Sequence, residues 1–170
     1  MYGPCGYYPN CGYYAPAGIR NNMGYSSYGY GNSWYTGLGD YGPDPFVISI
    51  NNAARINNAF RTALWTGNHL QVTLMSIGVG EDIGLEIHPN VDQFIRIEQG
   101  QGFVMMGDRQ DYLDFQKWVY PGYAIVIPAG KWHNLLNAGN VPLKLYSIYA
   151  PPQHPRGTVH ATRADTMAAE

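Results

Sequence analysis

The chain has 170 residues with 10 Lys and Arg against 12 Asp and Glu, a formal net charge of -2; this length suits one domain with a sizeable core and not two. The few, scattered cations exclude a nucleic-acid or anionic-membrane surface, which needs clustered Lys and Arg, and leave a small-molecule ligand as the expected partner. No run approaches the roughly 18 to 20 consecutive apolar residues of a membrane span, and the amino terminus lacks a basic-then-apolar secretory pattern, so the expectation is a soluble, cytoplasmic protein.

Residues 1–43 differ in kind from the rest. They hold ten of the fifteen Tyr and ten of the twenty-one Gly, with Ile19 and Leu38 as nearly the only aliphatic side chains beyond Ala and Met. Such a segment cannot bury enough apolar surface to offset ordering entropy of about 1–2 kcal/mol per residue for the backbone alone, and it is predicted to be a disordered, low-complexity tail. Gly-Tyr-Tyr recurs at Gly6 and Gly12 and Gly-Tyr at Gly24 and Gly29, a composition suited to self-association through aromatic contacts. In composition the tail resembles Tyr/Gly-rich coat proteins of endospore-forming bacteria, which implies assembly in a spore coat; an inert linker is the alternative. Cys5 and Cys11 lie in this tail, with free thiols, a local disulfide and an intermolecular cross-link all open.

From Pro45 short β-runs alternate with turn residues. Phe46 to Ile50 is predicted as a strand and Asn51 to Phe60 as a helical or irregular link. Strands are expected at Arg61 to Trp65, Leu70 to Ile77, Gly84 to His88, Gln93 to Glu98, Phe103 to Met106, Tyr112 to Val119, Tyr123 to Ile127, His133 to Asn137 and Leu143 to Tyr149. Gly and Pro between them supply the turns. Ten short strands with no long helix predict an all-β fold, a single jelly-roll β-barrel over residues 44–150. Residues 151–170 form a carboxyl-terminal arm: Ala150 to Gly157 is Pro-rich, able to lie over a barrel mouth or reach a neighbouring subunit but not to pair inside a sheet. Thr162 to Glu170 closes with a short helix.

Two glycine-framed motifs carry the chemistry. Gly122, Pro128, Gly130, His133 and Asn137 give G-x5-P-x-G-x2-H-x3-N; upstream, Gly80, Glu86, His88, Gln93 and Gly100 give G-x5-E-x-H-x4-Q-x6-G. The second motif in the chain matches without a gap the second signature of the cupin family, and the first keeps the spacing of that family's first signature with Glu86 in place of a His and Gln93 in place of a Glu. The chain therefore resembles a small single-domain cupin over about residues 70–150. The resemblance implies that Glu86, His88, Gln93 and His133 meet at the barrel mouth. It also implies a divalent metal ion there, Zn, Mn, Fe or Ni, and two imidazoles, one carboxylate and one amide can hold such an ion. Strand alternation agrees in part: Glu86 and His88 share a face, Gln93 shares one with Ile95 and Ile97, and Arg96 and Glu98 point the other way.

The set of two His, one Glu and one Gln is similar to that of phosphomannose isomerase-like cupins, with Glu and Gln in different places. That likeness implies sugar-phosphate isomerase-like chemistry on a small oxygen-rich molecule, with substrate oxygens polarised while a base moves a proton. Candidate substrate contacts are Lys131 and Trp132, beside the motif corner, and His154 in the arm. Among cations for a phosphate, Lys131 is first in sequence, followed by Arg61 and Arg156, though each suits a solvated surface charge better; no general base stands out. The alternative is a non-catalytic structural or binding cupin assembled through its tail. An edge strand at Phe46 to Ile50 or Arg61 to Trp65 needs cover, so a homodimer is expected.

Overall fold

The computed structural model describes residues 37–167; the tail up to position 36, with Cys5 and Cys11, lies outside the described residues. Among them the chain forms β1 (Arg61–Thr66), β2 (Gln71–Ile77), β3 (Glu86–Ile87), β4 (Asp92–Gln99), β5 (Gly102–Gly107), β6 (Phe115–Val119), β7 (Ala124–Ile127), β8 (Trp132–Asn137), β9 (Leu143–Ala150) and β10 (Val159–His160), with short helices α1 (Ile50–Ile56) and α2 (Arg163–Met167). A six-stranded sheet, β10-β1-β2-β9-β4-β7, faces a four-stranded one, β3-β8-β5-β6. Every pairing is antiparallel, giving the expected jelly-roll barrel. No helix of the described residues is long and apolar enough to cross a membrane.

The registers resolve the interior into rows. On the six-stranded sheet, Gln71, Tyr149, Gln93 and Ile127 lie abreast, then Thr73, Ser147, Ile95 and Ile125, then Met75, Leu145 and Ile97, then Ile77 and Leu143. The polar members of the first two rows are buried as completely as the Leu and Ile of the last two. Met75, Ile77, Ile97, Leu143 and Leu145 join Val104, Val119 and Leu135 in one apolar cluster. The barrel is thus filled with hydrocarbon at one end and lined with polar side chains at the other. The inward Gln93, Ile95 and Ile97 follow the expected alternation.

Phe46 to Ile50 does not form a strand. Val159–His160 instead pairs with Arg61 and Thr62 at the outer side of β1, so that stretch has no free edge there to join. It leads into α1, and Phe46 and Ile50 pack with Ala53, Ala54, Leu64 and Leu74 on the outer face of the six-stranded sheet. The small Ala53 and Ala54 form the buried side of the helix. This helix also buries Glu98: it points away from the interior as alternation requires, yet Asn51 donates to its carboxylate, Arg55 to its carbonyl at 3.0 Å, and Arg96 pairs with it at 2.5 Å. The sixth strand is shorter than expected, beginning at Phe115, because Tyr112 closes a bridge with Arg109.

Two segments distant in sequence are tied together at Asp40, whose carboxylate accepts from Thr66 Oγ1 at 2.6 Å, from the Gly157 amide at 2.9 Å and from the Gly42 amide at 3.1 Å. Gly42 has to be glycine, since a Cβ there would meet the Thr66 carbonyl oxygen at 2.1 Å.

Leu145, fully buried at the centre of the apolar rows, is expected to cost about 2–5 kcal/mol when replaced by Ala; denaturant unfolding checks this, and a loss below 1 kcal/mol would place the core elsewhere. Partial burial of Asp40 works against its ionised form, but the hydrogen bonds from Thr66, Gly157 and Gly42 outweigh it and hold the pKa below the ordinary 3.8. A depressed carboxyl stabilises fully above its unfolded pKa and loses that contribution as pH falls below it. Asp40→Asn should therefore be less stable than wild type at pH 6, with the gap closing below about pH 4, as followed by thermal unfolding across pH.

Candidate metal centre

Glu86 sits on β3 directly opposite His133 on β8, so the antiparallel ladder places both side chains on one face at a separation set by the backbone. His88 follows β3 immediately, and its carbonyl accepts the Gly130 amide at 2.9 Å. Gly130 has φ +79°, a left-handed turn that glycine enters without steric cost. The corner of the second motif is thereby hydrogen-bonded to the His of the first, which brings two segments some forty residues apart in sequence to one point. Asn137, the last residue of that motif, is structural: its amide donates to the Ile77 and Val141 carbonyls, both at 2.9 Å.

Glu86 Oε1 lies 3.4 Å from His88 Nε2 and 3.3 Å from His133 Nε2, and the three ligand atoms all fall within 4.8 Å of one another. None of the three has a hydrogen bond of acceptable geometry, a costly condition for buried polar atoms unless something else satisfies them. A tetrahedral ion with bonds of about 2.0–2.1 Å would space its donors about 3.3–3.4 Å apart, matching the two measured edges. His133 Nδ1 lies 2.9 Å from the Lys131 carbonyl; that contact assigns the proton to Nδ1 and turns the Nε2 lone pair toward Glu86, the arrangement that orients a ligating imidazole. Burial pushes the Glu86 carboxyl up, but His133 first and then His88 outweigh it and hold the pKa at about 2. One carboxylate oxygen and two imidazole nitrogens gathered this closely form a donor set that fits a divalent first-row ion.

The cupin domain family matches residues 73–149. The uncharacterized protein YrkC of Bacillus subtilis is 71% identical over 133 residues, 78% of this chain and 72% of its own length. The chain belongs to the cupin superfamily. A crystal structure of a Bacillus halodurans protein is 67% identical to this cupin, covering 77% of it and 99% of that chain, with a TM-score of 0.77. A cupin superfamily protein of Desulfitobacterium hafniense, at 21% identity with a TM-score of 0.51 over 65% of this chain and 94% of the other, shares the fold alone.

The remaining expected site residues of this cupin have different surroundings. Gln93 is buried in the polar row, donates Nε2 to Ser147 Oγ at 3.0 Å and leaves Oε1 without a partner. His154 arrives from the arm: buried Gln71 donates to its carbonyl and accepts from its amide, both at 2.9 Å, holding the ring edge-on to Tyr149 at 5.1 Å between centroids. Burial, followed by the charge of Arg61, lowers its pKa to about 3, so His154 is neutral. Lys131 turns outward to exposed Asp108, and what it gives the centre is its carbonyl. Trp132 lies half-buried on the face of β8 opposite His133. Arg156 donates to the Gly42 carbonyl, a structural contact.

Tyr149 is what sequence reasoning missed, and Arg61, weighed there as a cationic contact, was placed on the wrong side of its strand. Tyr149 is fully buried, edge-on to His88 at 5.8 Å, with its hydroxyl unpartnered. The alternation Leu143, Leu145, Ser147, Tyr149 on β9 carried that signal, because it puts Tyr149 on the interior face. Arg61, read as a surface charge, is instead only 4% exposed.

His133→Ala should abolish metal retention by protein loaded with Zn or Mn and desalted, measured by mass spectrometry, with Gln93→Ala weakening it about tenfold or more as even a supporting residue does. Unchanged affinity in Gln93→Ala would remove that residue from the ligand shell.

Proposed function

We propose that this cupin holds one divalent ion, Zn, Mn, Fe or Ni, through Glu86, His88 and His133 with Gln93 as fourth donor, and acts on a small oxygen-rich molecule in isomerase-like proton-transfer chemistry. The observation that carries this is the cluster of three buried, unpartnered ligand atoms at 3.3–3.4 Å with the His133 tautomer fixed from behind. A bound ion of this kind would act as a Lewis acid on neighbouring substrate oxygens.

The chain's own residues do the rest. Glu86 supplies the single negative charge of the set, so the occupied centre stays net positive toward substrate. Ile97, Leu145 and Leu135 beneath the polar rows keep water from entering from below, which strengthens electrostatic contacts at the mouth. Tyr149 and neutral His154 offer a hydroxyl and an imidazole nitrogen, both unpartnered, within reach of a molecule at the centre. They are the candidates to hold or move a proton, sugar phosphates being the first molecules to try.

A second reading, a non-catalytic cupin assembled through residues 1–43 as in a spore coat, draws on the concentration of ten Tyr and ten Gly in that segment. The two readings part on one experiment: metal content of untagged protein purified without added metal or chelator, beside His133→Ala. Near-stoichiometric metal lost in the variant, followed by turnover in a substrate screen, is the expected outcome. Wild-type protein that binds none of Mn, Fe, Ni or Zn even after loading would overturn the metal-dependent reading and leave assembly.

A further inference from the structure

The inner face of the four-stranded sheet carries a row that continues past the metal ligands. Glu86 pairs with His133, His133 with Met106 and Met106 with Phe115, across β3, β8, β5 and β6. Cross-strand partners share a face with their Cβ atoms about 4.5–5.5 Å apart, so Met106 stands beside the ligating His133 and Phe115 one strand further out. β6 is the last strand of its sheet, as β7 is of the six-stranded one.

The two seams between the sheets are built differently. On the side of β3 and β10, Arg163 spans the gap, donating to the Asp82 carbonyl at 3.0 Å and pairing with its carboxylate at 2.5 Å. On the side of β6 and β7 the sheets part around an open cleft of about 230 Å³, with the buried Val104, Val119 and Ile125 at its floor and Met106, Phe115 and Tyr123 around it. Phe115, Trp118, Tyr123 and Val126, which all line it, are between 47% and 64% exposed, a contiguous apolar patch of the kind that marks a binding site. Lys117, the one charged residue of the lining, holds its ammonium 6.0 Å from the centre of the Phe115 ring, so its stem adds to the apolar wall while its head stays in water.

Met106 belongs both to this cleft and to the ligand row. A Met side chain is unbranched and adapts its rotamer to what lies beside it, which makes Met106 a movable partition between the cleft and His133. A closed cavity of about 150 Å³ lined by Leu, Ile and Phe binds benzene, so the cleft has room for one ring with a short substituent. A sugar would leave hydroxyls without partners against Val104, Ile125 and Phe115.

We propose that the cleft between β6 and β7 binds the apolar, single-ring body of a substrate whose oxygens reach the Glu86–His88–His133 centre past Met106. This rests on the metal-centre reading and names its substrate class, a cyclic or aromatic hydrocarbon carrying neighbouring oxygens at one end, in place of a sugar phosphate.

The test compares benzohydroxamate with acetohydroxamate, two chelators with the same metal-binding group and a phenyl or a methyl behind it. Both are titrated calorimetrically into zinc-loaded wild type, Phe115→Ala and Met106→Phe, with the metal content of each sample measured. Wild type is expected to prefer benzohydroxamate at least about tenfold, as burial of a ring requires. That preference should fall at least about threefold in Phe115→Ala, which removes one wall of the cleft, and likewise in Met106→Phe, where a bulkier and stiffer side chain closes the way to His133. A preference that does not fall in Phe115→Ala overturns the proposal whether or not Met106→Phe folds, and so does equal binding of the two chelators by zinc-loaded wild type. A second copy of the chain seated on the cleft would show as a wild-type dimer in sedimentation that Phe115→Ala weakens, with the two chelators bound alike, and this also overturns it. Failure of the metal centre itself is distinct: wild type then retains no zinc and binds neither chelator, and the inference falls with it.

Discussion

The constraint on which the rest depends is that one closed antiparallel barrel has to be apolar at one end and polar at the other. Each interior position is fixed by the two-residue period of its strand, so the polar side chains of β2, β9 and β4 fall in the first two rows and the last two rows are apolar throughout. Gln71, Tyr149 and Gln93 form one such row, and Thr73 and Ser147 begin the next; two residues further along every strand the interior is Met75, Leu145 and Ile97. The hydrocarbon end supplies the stabilising burial that lets the other end carry unsatisfied polar atoms. Shifting any one strand by a single residue would turn its inward set to the outside and destroy both ends together.

The metal centre is assembled by backbone hydrogen bonds as much as by side chains. The Glu86–His133 pairing is a ladder register, and the Gly130 to His88 hydrogen bond ties the turn before β8 to the residue after β3. Lys131 then closes the arrangement with its carbonyl on His133 Nδ1. Three residues of one corner thus fix a loop, a tautomer and the approach of two imidazoles to one carboxylate. This explains why spacing in the motif carries more information than the identity of Lys131 or Trp132, whose side chains face away from the centre.

How much was legible in the sequence follows the same logic. Spacing in the two motifs placed Glu86, His88 and His133, because a strand–turn–strand unit converts sequence offsets directly into geometry. Alternation placed Gln93 with Ile95 and Ile97. What was not legible involves pairing between distant segments. Nothing local distinguishes Phe46 to Ile50 from a strand; it fails to be one because Val159 and His160, a hundred residues later, pair with the edge of β1. Glu98 carries the pattern of a surface charge, and becomes buried only because α1 lies across it. Arg61 is read the same way, and its inward direction depends on the register of β1 with β2.

The pairing of β10 with β1 also changes the argument for a partner. The edge at Arg61, expected to need a second subunit, is covered by the chain's own arm over Arg61 and Thr62, with the Thr158 carbonyl accepting the Ala63 amide at 2.8 Å. That same arm delivers His154 to Tyr149 through the double hydrogen bond with Gln71, and is held at Gly157 by Asp40. Edge protection and the delivery of His154 to Tyr149 are therefore one structural act. The arm cannot leave the β1 edge without loosening His154, and a barrel stripped of its arm would expose an unpaired strand and the buried guanidinium of Arg61 together. Aggregation of an exposed edge and hydration of the interior would then reinforce each other, which gives a physical reason for the arm to belong to the barrel although its sequence, rich in Pro, reads as a separate segment.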